Sequence, residues 1–171
     1  MRRILLVLLC GFLLATVALA ADFTLTSTAF QDHHAIPKVY GCDGKNISPP
    51  LRWENPPANT KSFVLTLLSP GWAASDTYKW LVYNLPATTK ALGVGANADL
   101  PEGALTGTNS LHDAIYRGPC PPDANPHDYI FTLYALDTVL TLDEKAEVDE
   151  LLPAIKHHII KQAVLTGTFQ H

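Results

Sequence analysis

The sequence predicts a mainly β protein, a sandwich of two antiparallel sheets with a helical element near its C-terminus. Three observations carry that expectation. Short runs of leucine, β-branched and aromatic residues recur, as in S-F-V-L-T-L-L at 62–68, W-L-V-Y-N-L at 80–85 and Y-I-F-T-L-Y-A-L at 129–136. Proline-rich turns separate them, with Pro49-Pro50, Pro56-Pro57 and a longer stretch from Tyr116 to His127. A single segment, after residue 140, switches to helical spacing. Short strands with frequent turn signals and one late helix suit a two-sheet sandwich.

Taken in order, residues 1–20 stand apart. Arg2 and Arg3 precede an apolar run at 4–14, and Ala18-Leu19-Ala20 forms a small-residue cleavage site before Ala21. This is the pattern of a secretory signal peptide, too short and wrongly flanked for a membrane span. The expected organisation is a cleaved leader at 1–20 and one domain at 21–171, exported to the periplasm in a bacterium and secreted otherwise. Within the domain, residues 23–27 alternate apolar and polar, as a half-buried strand does. Residues 129–136 are apolar on both faces, which predicts an interior strand of a covered sheet. Thr141 and Glu144 have capping-box spacing, and Val148, Leu151, Leu152, Ile155 and Ile159 follow at helical intervals. Pro153 is expected to split this segment into a helix ending near Leu152 and a second one starting there. A last strand is expected at 163–169.

Composition removes several functions. Without Arg2 and Arg3 the domain has 10 basic against 16 acidic residues, a formal charge of −6. No Lys/Arg cluster is present, so nucleic acid is excluded as a partner and membrane contact is at most peripheral. The domain keeps two cysteines, Cys42 and Cys120. In an exported domain an even pair favours a disulfide, with two unpaired thiols as the alternative.

The stretch Y-R-G-P-C-P-P-D-A-N-P-H-D-Y-I-F, from Tyr116 to Phe131, holds four prolines ahead of the interior strand. Proline fixes φ, so this loop is stiff before any ligand arrives, and stiff loops against sheets are common seats for binding groups. Other polar clusters read differently. Asp32-His33-His34 and His157-His158 are runs of neighbours whose side chains diverge, so no metal is expected. No Gly-x-Ser-x-Gly or His-Glu-x-x-His pattern occurs, and His127 and Asp128 are consecutive at a strand entry. The expectation is a protein that is not an enzyme and uses no cofactor.

With these blocks in view, the chain resembles the phosphatidylethanolamine-binding, or Raf-kinase-inhibitor-like, proteins. F-Q-D-H-H-A-I-P-K-V-Y-G-C-D-G-K-N-I-S-P-P-L-R-W at 30–53, W-L-V-Y-N-L-P, Y-R-G-P-C-P-P, H-D-Y-I-F-T-L-Y-A-L-D and K-H-H-I-I-K-Q-A carry the likeness, in order. It implies the sandwich fold, a small anion pocket for phosphate-type headgroups at one end of the larger sheet, and action by binding and inhibiting partners. Carried over, the proline loop is intact as Gly118-Pro119-Cys120-Pro121-Pro122, and His127 and Tyr129 keep their places. The rest departs. Ser69-Pro70-Gly71-Trp72-Ala73 stands for Asp-Pro-Asp-x-Pro, Lys79 for a His, Asp128 for an Arg, and His33-His34 where Gly is usual. The resemblance also places the Cys42 and Cys120 loops at one end, which predicts their disulfide.

The expected ligand set is therefore His127, Tyr129, Pro121 and Pro122, with Ser69 and Lys79 at the rim. The expected ligand is a small anionic or phosphate-bearing molecule, held more strongly at low pH, where His127 would add charge to that of Lys79. The alternative is a protein target, with the chain inhibiting a kinase, protease or host protein.

Overall fold

The computed structural model describes residues 21–71 and 76–171; the leader, and Trp72 and Ala73 of the diverged loop, lie outside them. Among the described residues nine strands and one α-helix follow in order: β1 (Thr24–Thr26), β2 (His34–Ala35), β3 (Leu51–Glu54), β4 (Ser62–Ser69), β5 (Thr77–Pro86), β6 (Ala91–Leu92), β7 (Leu105–Thr106), β8 (His127–Leu136), α1 (Val148–Ile155) and β9 (Ile159–Phe169). They form a small sheet, β1-β3-β6, and a large one, β2-β9-β8-β4-β5-β7. Pairing is antiparallel except between β2 and β9, where His34 and Ala35 run parallel to Gly167 and Thr168. Among the described residues no helix is long and apolar enough to cross a membrane.

Both faces of the large sheet are covered, which explains the continuous apolar runs in β4, β5 and β8. Phe63, Leu65, Leu67, Phe131 and Leu133 pack with Leu25, Leu51 and Trp53 of the small sheet. On the opposite face Val64, Leu81, Tyr83 and Leu136 pack with Leu151 and Ile155 of α1. β8 lies between β9 and β4, as its two apolar faces require.

The helix differs from the expected one. Lys145 has φ 64°, a left-handed conformation that no helix from Thr141 can pass through. The cap is formed six residues later than expected, where Glu147 and Glu150 make a reciprocal capping box. Pro153 sits inside a single eight-residue helix rather than opening a second one. The break is cheap there, because only two helical residues follow it. Ile159, apolar at helical spacing, instead pairs with Leu136 and starts β9 four residues earlier than expected. His158 lies beyond the helix, with Nδ1 2.8 Å from Asp137 Oδ1.

Candidate anion-binding site

The site is built where β4, β5 and β8 end under two loops. Residues 116–122 are clamped onto the turn at 38–46. The Cys42–Cys120 disulfide joins them, with Cα atoms 5.3 Å apart. Cys42 N–H donates to Pro119 O (2.9 Å) and Gly118 N–H to Asn46 Oδ1 (2.7 Å). Tyr116, its ring edge-on to Trp80 at 5.3 Å, donates its hydroxyl to Tyr40 O. Gly118 is needed for close approach, since a Cβ there would lie 2.1 Å from Tyr40 O.

Asn109, 2% exposed, organises the adjoining loop. Its amide donates to Lys79 O and Ile115 O, and its Oδ1 accepts from Leu111 N–H and Asp113 N–H. Arg117 N–H donates to the same Lys79 carbonyl at 3.0 Å.

Lys79 stands at the floor of a hollow of about 270 Å³, with Asn46, Asp113, Arg117, Gly118 and the disulfide in its walls. The residue is 7% exposed. Among the described residues its ammonium makes no hydrogen bond or ion pair. Burial, and then the neighbouring Arg117, push its pKa below that of an ordinary lysine. Arg117 is held by Asp113, whose Oδ2 accepts from Nε at 2.7 Å and lies 2.6 Å from Nη2. One carboxylate oxygen leaves guanidinium donors over, so the hollow carries two cations against one anion.

Sequence reasoning chose Lys79 but missed Arg117, Asp113, Asn109 and Asn46. Arg117 was readable, lying one residue before the proline loop. The others act through backbone geometry that the string does not display.

His127 borders a different hollow, of about 260 Å³, with Pro70, Pro126, Asp128 and Thr168. The reason is register. β8 and β5 flank β4 on opposite sides, two strand spacings or about 9.6 Å apart. Leu68 of β4 pairs with Tyr78 on one side and Ile130 on the other, so His127 lies three residues farther out along β8. Its Nε2 is 3.0 Å from Asp123 Oδ1, so the carboxylate on the ring is Asp123, while Asp128 is exposed and pairs with Thr168.

Tyr129, 1% exposed, is a structural link between the loops. Its hydroxyl accepts from Cys120 N–H at 3.0 Å. Burial raises its pKa, while that bond and the Ser69 hydroxyl pull the other way. Ser69, at the end of β4, is thereby tied to Tyr129. Pro121 is buried and accepts from His171 Nε2 at 2.9 Å, and Pro122 is exposed. Neither proline lines the Lys79 or the His127 hollow. A larger hollow, of about 510 Å³, lies between the Asn109 loop and the start of α1. Glu147 and Asp149 in its wall, without a Lys or Arg, make it a poor seat for an anion.

With the fold and this site described, comparison with known proteins decides the family. The family model described as "Phosphatidylethanolamine-binding protein" matches residues 26–170. The chain belongs to the phosphatidylethanolamine-binding protein family. Its likeness to other members runs the length of the domain. A UPF0098 protein of Methanothermobacter thermautotrophicus is 39% identical over 148 residues, which are 85% of this chain and 97% of that one. The UPF0098 protein YbhB of Escherichia coli is 40% identical over 142 residues, 80% and 90% of the two chains. Among solved structures, Escherichia coli YbcL, described as a member of the mammalian family, superposes with a TM-score of 0.83 at 31% identity. The match covers 88% of this chain and 99% of that one. A family homolog from Chlamydia trachomatis gives 0.80 at 39% identity, over 87% and 97%.

Proposed function

We propose that this family member is an exported, non-enzymatic binding protein whose ligand is a small anion of phosphate type, seated on Lys79. The observation that carries the reading is the buried ammonium. A largely buried cation that faces the hollow, with no partner among the described residues, costs free energy that a bound anion returns, so the hollow favours a negatively charged guest. Arg117 supplies spare donors at its wall, and a planar guanidinium suits phosphate or carboxylate oxygens. The loops around it are fixed before binding by the disulfide and the prolines, so little ordering cost is left for the ligand to meet. The leader pattern at 1–20 and the disulfide both support export, because such bonds persist in oxidising compartments. Detection of a mature chain beginning at Ala21 outside the cytoplasm tests that part.

The binding test is a calorimetric titration with inorganic phosphate and phosphoethanolamine. Lys79→Met is expected to weaken binding at least about tenfold, 1.4 kcal/mol, while His127→Gln stays within about threefold. The reverse pattern would move the ligand to the His127 hollow. No heat from either titrant would remove the anion reading and favour a protein target. That second reading has its own support in Leu111 and Ile115, which are 47% and 41% exposed on the loop bordering the Lys79 hollow.

A further inference from the structure

The side of the disulfide nearest the C-terminus holds a donor set that the anion reading does not use. His171, the last residue of the chain, follows β9 by two positions. One ligating atom each from Cys42, Cys120 and His171 lies within 4.8 Å of the others. The imidazole is already oriented by a carboxylate: Nδ1 is 2.8 Å from Asp43 Oδ1, and Nε2 is 2.9 Å from Pro121 O. Lys38 Nζ stands 3.5 Å from the other oxygen of Asp43.

We propose that opening the Cys42–Cys120 bond turns this cluster into a soft-metal site, with two thiolates and one imidazole as ligands. In the oxidised protein the sulfur lone pairs belong to a disulfide, which is a poor metal donor. A dithiol reductant delivers two electrons and two protons, opens the bond to two thiols and closes its own disulfide. A divalent ion such as Zn²⁺ then displaces both thiol protons.

The geometry suits this. Tetrahedral zinc takes sulfur at about 2.3 Å and imidazole nitrogen at about 2.1 Å, which sets the donor atoms roughly 3.5 to 3.8 Å apart. The sulfurs must separate to reach that spacing and the imidazole must close by about 1 Å, a small movement for an exposed side chain. Cα atoms 5.3 Å apart let both sulfurs meet one ion. Nε2 would exchange the Pro121 carbonyl for the metal, while Asp43 keeps hold of Nδ1–H. A carboxylate behind a ligating imidazole is the usual orienting arrangement. The fourth position is left to water.

The mechanism also explains why a chain would place an imidazole against a closed disulfide. The same three side chains give one state that ties the loops covalently and another that ties them through an ion. The redox poise of the surroundings selects between them.

The test uses purified protein, oxidised or reduced with a phosphine that leaves no competing thiol, titrated with Co²⁺ as the probe. The reduced protein is expected to bind one ion with a thiolate-to-cobalt charge-transfer band, and the oxidised protein none. His171→Ala is expected to weaken binding at least about tenfold, and Asp43→Asn about tenfold through the ring it orients. Because Cys42→Ser also removes the stabilising bond, near-ultraviolet circular dichroism of the reduced wild type is recorded alongside. Loss of that signal on reduction overturns the proposal, since the site needs the folded loops. So does equal binding by the oxidised form, or an unchanged His171→Ala variant.

Discussion

Two hollows of nearly equal size open at the same end of the large sheet, and each has one buried basic side chain. In one, His127 is 8% exposed and rests on the Asp123 carboxylate. In the other, Lys79 is 7% exposed and no acceptor meets its ammonium among the described residues. Burial is therefore not what separates the two groups. The difference lies in whether the fold has already satisfied the charge. Where it has, as at His127, the side chain holds a loop in place; where it has not, as at Lys79, the proposed ligand would supply the missing charge.

The largest effect that could break this contrast is removal of the disulfide, which walls the Lys79 hollow and not the other. Its ends are 78 residues apart. A loop of that length stabilises by about 4.5 kcal/mol in the chain-entropy picture. Cys120→Ser with Cys42→Ser is expected to cost about that much in urea unfolding, and to weaken phosphate binding with it. Stability within about 1 kcal/mol of wild type would mean the loops are held by hydrogen bonds alone.

A smaller effect concerns the pH dependence of Lys79. Its folded pKa lies below that of the unfolded chain because burial disfavours the ammonium. The unfolded state then binds more protons above the folded value, so stability rises with pH from that value up to about 10.5. Lys79→Met removes this rise and is itself more stable than wild type at neutral pH. Phosphate affinity of the wild type is expected to fall across the same window, as the ammonium is lost. Equal slopes in stability for wild type and Lys79→Met between about pH 7 and about pH 10 would show that the ammonium is already satisfied.

The smallest effect sharpens the His127 side. Hydrogen bonds from Asn125 N–H and the His127 ring hold the Asp123 carboxyl below its ordinary value of 3.8. Its stabilisation is thus present above 3.8 and is lost as pH falls through the depressed folded value. Asp123→Asn should remove that contribution and shift the acid-unfolding midpoint upward, with phosphate affinity at neutral pH unchanged. A change in affinity would connect the two hollows.

Much of the frame was legible in the sequence because it is written in local chemistry. The doubly apolar β8, the proline loop and the cysteine pair each declare themselves within a few residues or by count. The helix was harder, because Thr141…Glu144 and Glu147…Glu150 have the same capping spacing. Tertiary contacts decide between them: Thr108 Oγ1 donates to Lys145 O at 2.6 Å, across the left-handed Lys145. His33 sits at φ 59°, a left-handed conformation that its residue type does not announce. The partition of His127 from Lys79 was hidden for another reason. It depends on which strands flank β4, and strand order is not a local property.

The order of strands in the large sheet has a consequence for how the chain is made. β9, the last strand, pairs with β2 near the beginning and with β8 along its whole length. Until β9 leaves the ribosome, β2 lacks its strand neighbour and β8 presents an open edge. A nascent chain can collapse around β4 and β5 but cannot close the sheet until β9 is available. In the export proposed above, late closure would help a polypeptide threaded through a narrow channel in extended form. The sheet would then be sealed, and the Cys42–Cys120 bond formed, on the far side.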